Sequence, residues 1–159
     1  MRKNDAAAIA VGAVLAAAVL GSRHSPTSVR DLVWYERLEK PSYRPPGAAI
    51  GAAWTALDIL LAYAGARLLA APASPTQRVA TAGWSTAVSG LVLYPWLMFG
   101  RKRLGWALGS VVWMLGGTVT AVAAGASVDR TAAKALLPLV GWLGFAGVLQ
   151  EEIWRRNRG

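Results

Sequence analysis

Five apolar stretches account for most of this chain: Ala6 to Leu20, Gly47 to Ala71, Val79 to Phe99, Leu104 to Ala126, and Ala132 to Trp154. A helix rises 1.5 Å per residue, so each of the last four reaches across a hydrocarbon core that needs about 20 residues. In lipid the backbone must satisfy its own hydrogen bonds, which leaves the helix as the form open to runs of this length. The expected fold is therefore all-α, an integral membrane protein built as a five-transmembrane-helix bundle. It forms a single membrane domain over residues 1–159, with spans at about 6–20, 47–71, 79–99, 104–126 and 132–154 and one long loop, 22–46. The first stretch is short. With Arg2 and Lys3 ahead of it, it also has the look of a secretory signal peptide, and its removal would leave four spans.

Hydrophobic residues make up 55% of the chain and charged residues 16%, a balance that suits lipid better than water. The 17 Lys and Arg outweigh 8 acids, giving a net charge of +9. These charges sit between the apolar runs instead of along one face, so they read as membrane-flanking charge and not as a nucleic-acid surface. With five spans, one side of the membrane receives Arg23, Arg30, Arg37, Lys40, Arg44, Arg101, Lys102, Arg103, Arg155, Arg156 and Arg158. The other keeps Arg2, Lys3, Arg67, Arg78, Arg130 and Lys134, which places the long loop and the C-terminus in the cytoplasm by the positive-inside rule. Cysteine is absent, so no disulfide framework, thiolate nucleophile or Cys-based metal site is available.

Loop 22–46 is the one connection long enough to carry structure of its own. Pro41, Pro45 and Pro46 forbid a continuous helix there, and Trp34, Tyr35 and Tyr43 are amphipathic rings suited to the headgroup layer. An interfacial anchor and a lid over a cavity both fit. The remaining connections are short, so successive helices are expected to pack as antiparallel neighbours. Gly83, Ala87 and Gly90 form a small-residue stripe on the third span, suited either to close packing within the chain or to a homodimer seam.

Asp58 falls near the middle of the second span, where an ionised carboxylate is expensive and should face the bundle interior, a partner or a cavity. Gly47, Gly51, Trp54, Asp58, Ala62 and Gly65 recur at helical spacing, which sets the acid on a small-residue face beside an indole. It can line a ligand cavity or serve packing through a hydrogen bond to a neighbouring helix. Of the 8 Trp, Trp34, Trp96, Trp106 and Trp154 lie near span ends, while Trp54, Trp84, Trp113 and Trp142 lie deeper, where each indole N–H needs an acceptor. Flat apolar walls with few donors suit a planar aromatic or tetrapyrrole ligand. Pro138, Trp142, Phe145 and Leu149 share one face of the last span, and Glu151 with Arg155 and Glu152 with Arg156 make i,i+4 pairs at its end. Catalysis has little to build on. The single His24 lies in the loop with no second His and no metal-spaced carboxylates, and no Gly-rich phosphate loop occurs.

Certain strings, in this order and spacing, resemble the TspO/MBR family, the tryptophan-rich sensory and translocator proteins. They are Trp34-Tyr35-x-x-Leu38-x-Lys40-Pro41-x-Tyr43-x-Pro45-Pro46, then Gly51-x-x-Trp54-x-x-Leu57, Phe99-Gly100, and Leu104-Gly105-Trp106-Ala107-Leu108. Ala135-Leu136-Leu137-Pro138-x-x-x-Trp142-x-x-Phe145-Ala146 and Ile153-Trp154-Arg155-x-Asn157 complete the set. The resemblance implies a five-helix bundle, commonly dimeric, that binds porphyrins, haem, sterols and aromatic drug-like molecules in a cavity capped by the first long loop. It nominates Trp106, Gly109, Trp113, Trp142, Ala146 and Leu149 as cavity wall and Tyr43 as lid, with Asp58 where the family usually has Tyr. Other departures are Ala87 and Leu91 in place of a Gln and an Asn, Leu139 for a Tyr, Gln150 for an Asn, and Glu151 for the sterol-recognition Tyr. The ligand-binding expectation is thus Tyr43, Trp54, Asp58, Trp106, Gly109, Trp113, Trp142, Ala146 and Leu149, with no metal, no required cofactor, and porphyrin or haem as ligand. The expected partners are the lipid bilayer, a hydrophobic small molecule and a second copy of the chain.

The leading expectation of function is a membrane-embedded sensor or carrier of tetrapyrrole-like or other hydrophobic aromatic ligands. Two alternatives come from other classes. One is an enzyme that degrades porphyrin in light, as proposed for family members, with Trp113 and Trp142 as redox participants; the other is a structural membrane protein that modulates a partner.

Overall fold

In the computed structural model, which describes residues 1–26 and 28–158, every regular element is helical. Five long helices, α1 (Lys3–Ser22), α3 (Gly47–Ala70), α4 (Pro75–Pro95), α5 (Leu104–Val128) and α6 (Arg130–Arg156), are joined by the short helix α2 (Val29–Arg37) and a π-helical turn, Trp96–Gly100. The boundaries follow local chemistry. Ser74 accepts from the Gln77 amide with Pro75 at the first helical position, and Asp129 accepts from the Ala132 amide, so α4 and α6 both begin on a side-chain cap. The expected third span, Val79 to Phe99, is thereby shifted: α4 starts earlier, and its last residues form the π-turn after Pro95.

The helices close into a ring in the order α1, α3, α6, α5, α4. Successive helices α4, α5 and α6 are neighbours, as expected of short connections. The helices α3 and α4 are not ring neighbours despite their short link: α1 and α6 flank α3, and α4 meets it chiefly through the Trp84 side chain. The first stretch belongs to the bundle, with Ala6, Ala10, Val14, Ala17 and Gly21 buried along one side of α1.

Four helices, α1, α3, α5 and α6, are long and apolar enough to cross a membrane among the described residues. Helix α4 is more polar, but its hydroxyls are returned to its own backbone: Thr81 donates to Gln77 O (2.9 Å), Thr86 to Ala82 O (3.0 Å) and Ser89 to Thr86 O (2.7 Å).

The stripe Gly83, Ala87 and Gly90, expected as a dimer seam, is used up inside the chain. A Cβ on Gly83 would stand 2.6 Å from Gly117 O and 2.7 Å from Ala121 N, and one on Gly90 would meet the Met114 side chain at 2.6 Å. These glycines let α4 lie directly on the backbone and side chains of α5, so the stripe is unavailable to a second copy.

Candidate ligand cavity

One end of the bundle is solid. There Leu61, Ala64, Leu68, Ala80, Trp84, Ala87, Thr118, Ala121, Ala132 and Leu136 are buried, and small residues bring the helices together. Trp84 lies flat against Gly65 and donates its indole N–H to Leu61 O at 2.8 Å. Arg67 reaches across to Asp129, at 2.9 Å for the ion pair, tying α3 to the start of α6.

Towards the loop end the same ring of helices opens round a cavity of about 380 Å³, within the roughly 300–1,000 Å³ of small-molecule sites. Its wall comes from the loop-end half of every long helix: Ala18 and Gly21 on α1, Trp54 and Asp58 on α3, Leu91 and Tyr94 on α4, Val111 and Met114 on α5, and Trp142, Ala146 and Leu149 on α6. The rings of Trp54 and Trp142 meet edge to face at 6.3 Å, and Phe145 tilts against Trp142 at 5.8 Å. Polar atoms are few and mostly satisfied. Tyr94 donates to Gln150 Oε1 (3.0 Å), and Gln150 Nε2 donates to Leu104 O (3.1 Å), which links α4, α5 and α6.

Two atoms of the wall break this rule. Asp58 Oδ1 and Trp142 Nε1 are buried without a hydrogen-bond partner among the described residues. A buried acceptor and a buried donor left unmade are each costly, about 1–3 kcal/mol, and both belong to residues that line the cavity.

The described part of loop 22–46 lies over the open end, and its helix α2 was not expected from the prolines. The cap signal is local: Ser28 accepts from the Asp31 amide at 3.1 Å. Lys40 closes the other end by donating to Tyr35 O (2.5 Å) and Leu38 O (3.1 Å). Helix α2 rests on the π-turn, with Tyr35 edge-on to Phe99 at 5.5 Å, Lys102 paired with Asp31 at 2.9 Å, and Lys102 over the Trp34 ring. Hydrogen bonding to Lys102, then to Ser28, holds the Asp31 carboxyl below the usual range. Tyr35 reaches the cavity wall itself. Tyr43 packs against Phe145 at 6.4 Å and donates to the Glu152 carboxylate, which also pairs with Arg156. The hydrogen bond to Glu152 raises the Tyr43 pKa above its ordinary 10, so the hydroxyl remains a donor through neutral pH. Asn157 clamps the loop from the other side, accepting from Glu39 N (3.0 Å) and donating to Glu39 O (2.9 Å).

Of the expected site residues, the structure gathers Trp54, Asp58, Trp142, Ala146 and Leu149 on one wall and sets Tyr43 behind it in the loop. Trp106, Gly109 and Trp113 are corrected. Trp106 is 69% exposed and Trp113 56%, and nothing stands within 4 Å of a Cβ on Gly109, so all three lie on the outward face of α5. The inward face of that helix carries Ala107, Val111, Met114 and Thr118 instead, fixed by its packing on α4 and α6. Sequence reasoning missed Tyr35, Tyr94, Val111 and Met114; for Tyr94 the signal was its place one turn beyond Gly90 on the inward stripe. His24 lies against Gly100 and outside the cavity wall. Among the described residues no group of His, Cys, Asp and Glu could hold a metal ion.

Residues 10–155 match the model of the TspO/MBR family. The chain is 31% identical to the translocator protein of Homo sapiens over 130 residues, 80% of this chain and 77% of that one. It is 33% identical to the protein CrtK of Rhodobacter capsulatus over 128 residues, 79% of each chain. It is 29% identical to the tryptophan-rich sensory protein of Cereibacter sphaeroides over 124 residues, 78% of this chain and 77% of that one.

Proposed function

We propose a function from the premise that this chain belongs to the TspO/MBR family: it is a membrane-embedded binding protein, sensor or carrier, for planar hydrophobic ligands of the tetrapyrrole kind or other aromatic molecules. The observation that carries the reading is the aromatic cavity under the loop, with an acceptor on Asp58 and a donor on Trp142 that find no partner among the described residues. A bound ring fills the apolar space between Trp54, Tyr94 and Trp142 and meets one or both polar atoms. The ring of α1, α3, α6, α5 and α4 is read as five spans, with the self-bonded hydroxyls of α4 making its passage through lipid tolerable. The long loop and the C-terminus lie in the cytoplasm, and a homodimer forms through a surface other than the α4 stripe.

The test is a titration of the purified protein in lipid nanodiscs with protoporphyrin IX, read by quenching of Trp fluorescence, beside the Trp142→Ala protein. Saturable quenching that weakens in Trp142→Ala is the expected result. Quenching that is absent, or no stronger than in empty nanodiscs plus free Trp, sinks the reading.

A further inference from the structure

We infer that Asp58 makes this cavity selective for flat ring ligands that carry a basic nitrogen, with the nitrogen against Asp58 and an acceptor edge of the ligand towards the Trp142 N–H. The inference rests on the binding reading above and narrows its ligand class. Asp58 lies eleven residues into α3, about 16 Å along the helix axis. At that depth it lines the cavity, yet its Oδ1 receives no donor, and no ion pair among the described residues includes it.

The neighbouring elements offer Asp58 no relief. On α4 the Tyr94 hydroxyl is committed to Gln150, and on α6 Gln150 gives its amide to Leu104 O while the Trp142 indole is itself unpartnered among the described residues. Two cations of the loop, Lys40 and Arg44, are gathered over the Tyr35 ring, where Lys40 caps the end of α2. The site is therefore polarised: basic groups sit over the entrance, and a lone acid lies within. A carboxylate in an apolar interior needs a cation, and a protonated carboxyl needs an acceptor for its O–H. A basic nitrogen answers both states, since the proton can reside on either partner of the hydrogen bond. A ligand carboxylate in the same place would set two acids together and is rejected. The Trp142 N–H donates only, so it fits a carbonyl, ether or unprotonated ring nitrogen elsewhere on the ligand.

The experiment uses three tricyclic probes of nearly equal shape, anthracene (neutral), 9-aminoacridine (cationic) and anthracene-9-carboxylate (anionic). Binding is measured on the full chain in phosphatidylcholine nanodiscs with partition into empty nanodiscs subtracted. Wild type is expected to bind the cation about tenfold or more tighter than anthracene, as for a hydrogen bond to a charged group, and the anion weakest. Asp58→Glu keeps that order. Asp58→Asn brings cation and anthracene within about twofold of each other. Equal binding of the three probes by wild type, or a cation preference that survives in Asp58→Asn, overturns the inference and leaves the cavity reading standing. Failure of wild type to bind any probe overturns both. Should Asp58→Asn not fold, Asp58→Ser takes its place, since an aromatic wall alone also favours a cation and only loss of the preference with the carboxylate assigns it to Asp58.

Discussion

The two halves of the bundle are made by the same five helices and come out opposite. Away from the loop the helices meet through Gly65, Gly83, Ala87, Gly117 and Ala121, and Trp84 is the large ring buried among them, laid flat and hydrogen-bonded. Beneath the loop the positions facing inward are Trp54, Tyr94, Trp142 and Phe145, whose bulk holds the helices apart and leaves space between them. Small residues let backbones touch; large flat ones, few enough not to fill the space they create, make a chamber. In this chain, then, aromatic bulk at the bundle axis marks the hollow half and small residues mark the solid one.

Breaking the boundary between the halves should have the largest effect. Trp84→Ala removes both the ring packed on Gly65 and the bond to Leu61 O, and is expected to destabilise the protein by about 3–5 kcal/mol, the range for Trp lost from a core. A thermal melt in detergent that moves by no more than a degree or two would show that the far half is not the rigid one. Gly83→Leu comes next, at about 1–3 kcal/mol of overpacking, because its side chain is driven onto the Gly117 carbonyl. A variant that melts like wild type would return the α4 stripe to an outside surface.

Trp142→Ala sharpens the comparison from the hollow side. It should weaken a planar aromatic ligand by about 1–3 kcal/mol in binding and leave the fold's helical content unchanged by circular dichroism. Equal affinity in the folded variant removes Trp142 from the contact surface. A smaller effect belongs to the loop: Tyr43→Phe deletes the hydroxyl given to Glu152, and ligand release in stopped-flow should quicken by a few-fold, as for one net hydrogen bond of about 1 kcal/mol. Unaltered release rates would make the loop a bystander. The smallest effect is expected at Gly109→Leu and Trp113→Ala, on the outward face of α5, with ligand affinity unchanged within twofold; a tenfold loss would contradict the placement of that face.

The helices themselves were legible because each apolar run is long and bounded by turns; α3 and α5 begin where the sequence places them. What stayed hidden was rotation. Helix α5 is apolar almost all round, so no hydrophobic stripe tells its inner from its outer side or could check the placing of Trp106 and Trp113 that the family resemblance supplied. The discriminating pattern was the small residues: Ala107, Ser110, Gly117, Thr118, Ala121 and Gly125 recur at helical spacing and are all buried. Asp58 and Trp142 were found for the converse reason, since a polar group at membrane depth has few places to go. Helix α2 escaped notice because three prolines dominate the loop, while its cap, Ser28-x-x-Asp31, lies upstream of them.

The solid half has a consequence for traffic. No residue of the cavity wall lies beyond the level of Asp58 on α3 or Gly90 on α4, and within one turn below Asp58 the Leu61 carbonyl accepts from the buried Trp84 indole. The chamber is thus a cul-de-sac along the bundle axis: a guest cannot drop through to the far leaflet without unseating that indole and prising the Arg67–Asp129 clasp. It must turn back towards the loop or slip sideways between helices. Under the proposed binding function, the occupancy of such a vessel would follow the amount of a compound in its own half of the bilayer, and a partner that reads the loop would be reading that local concentration.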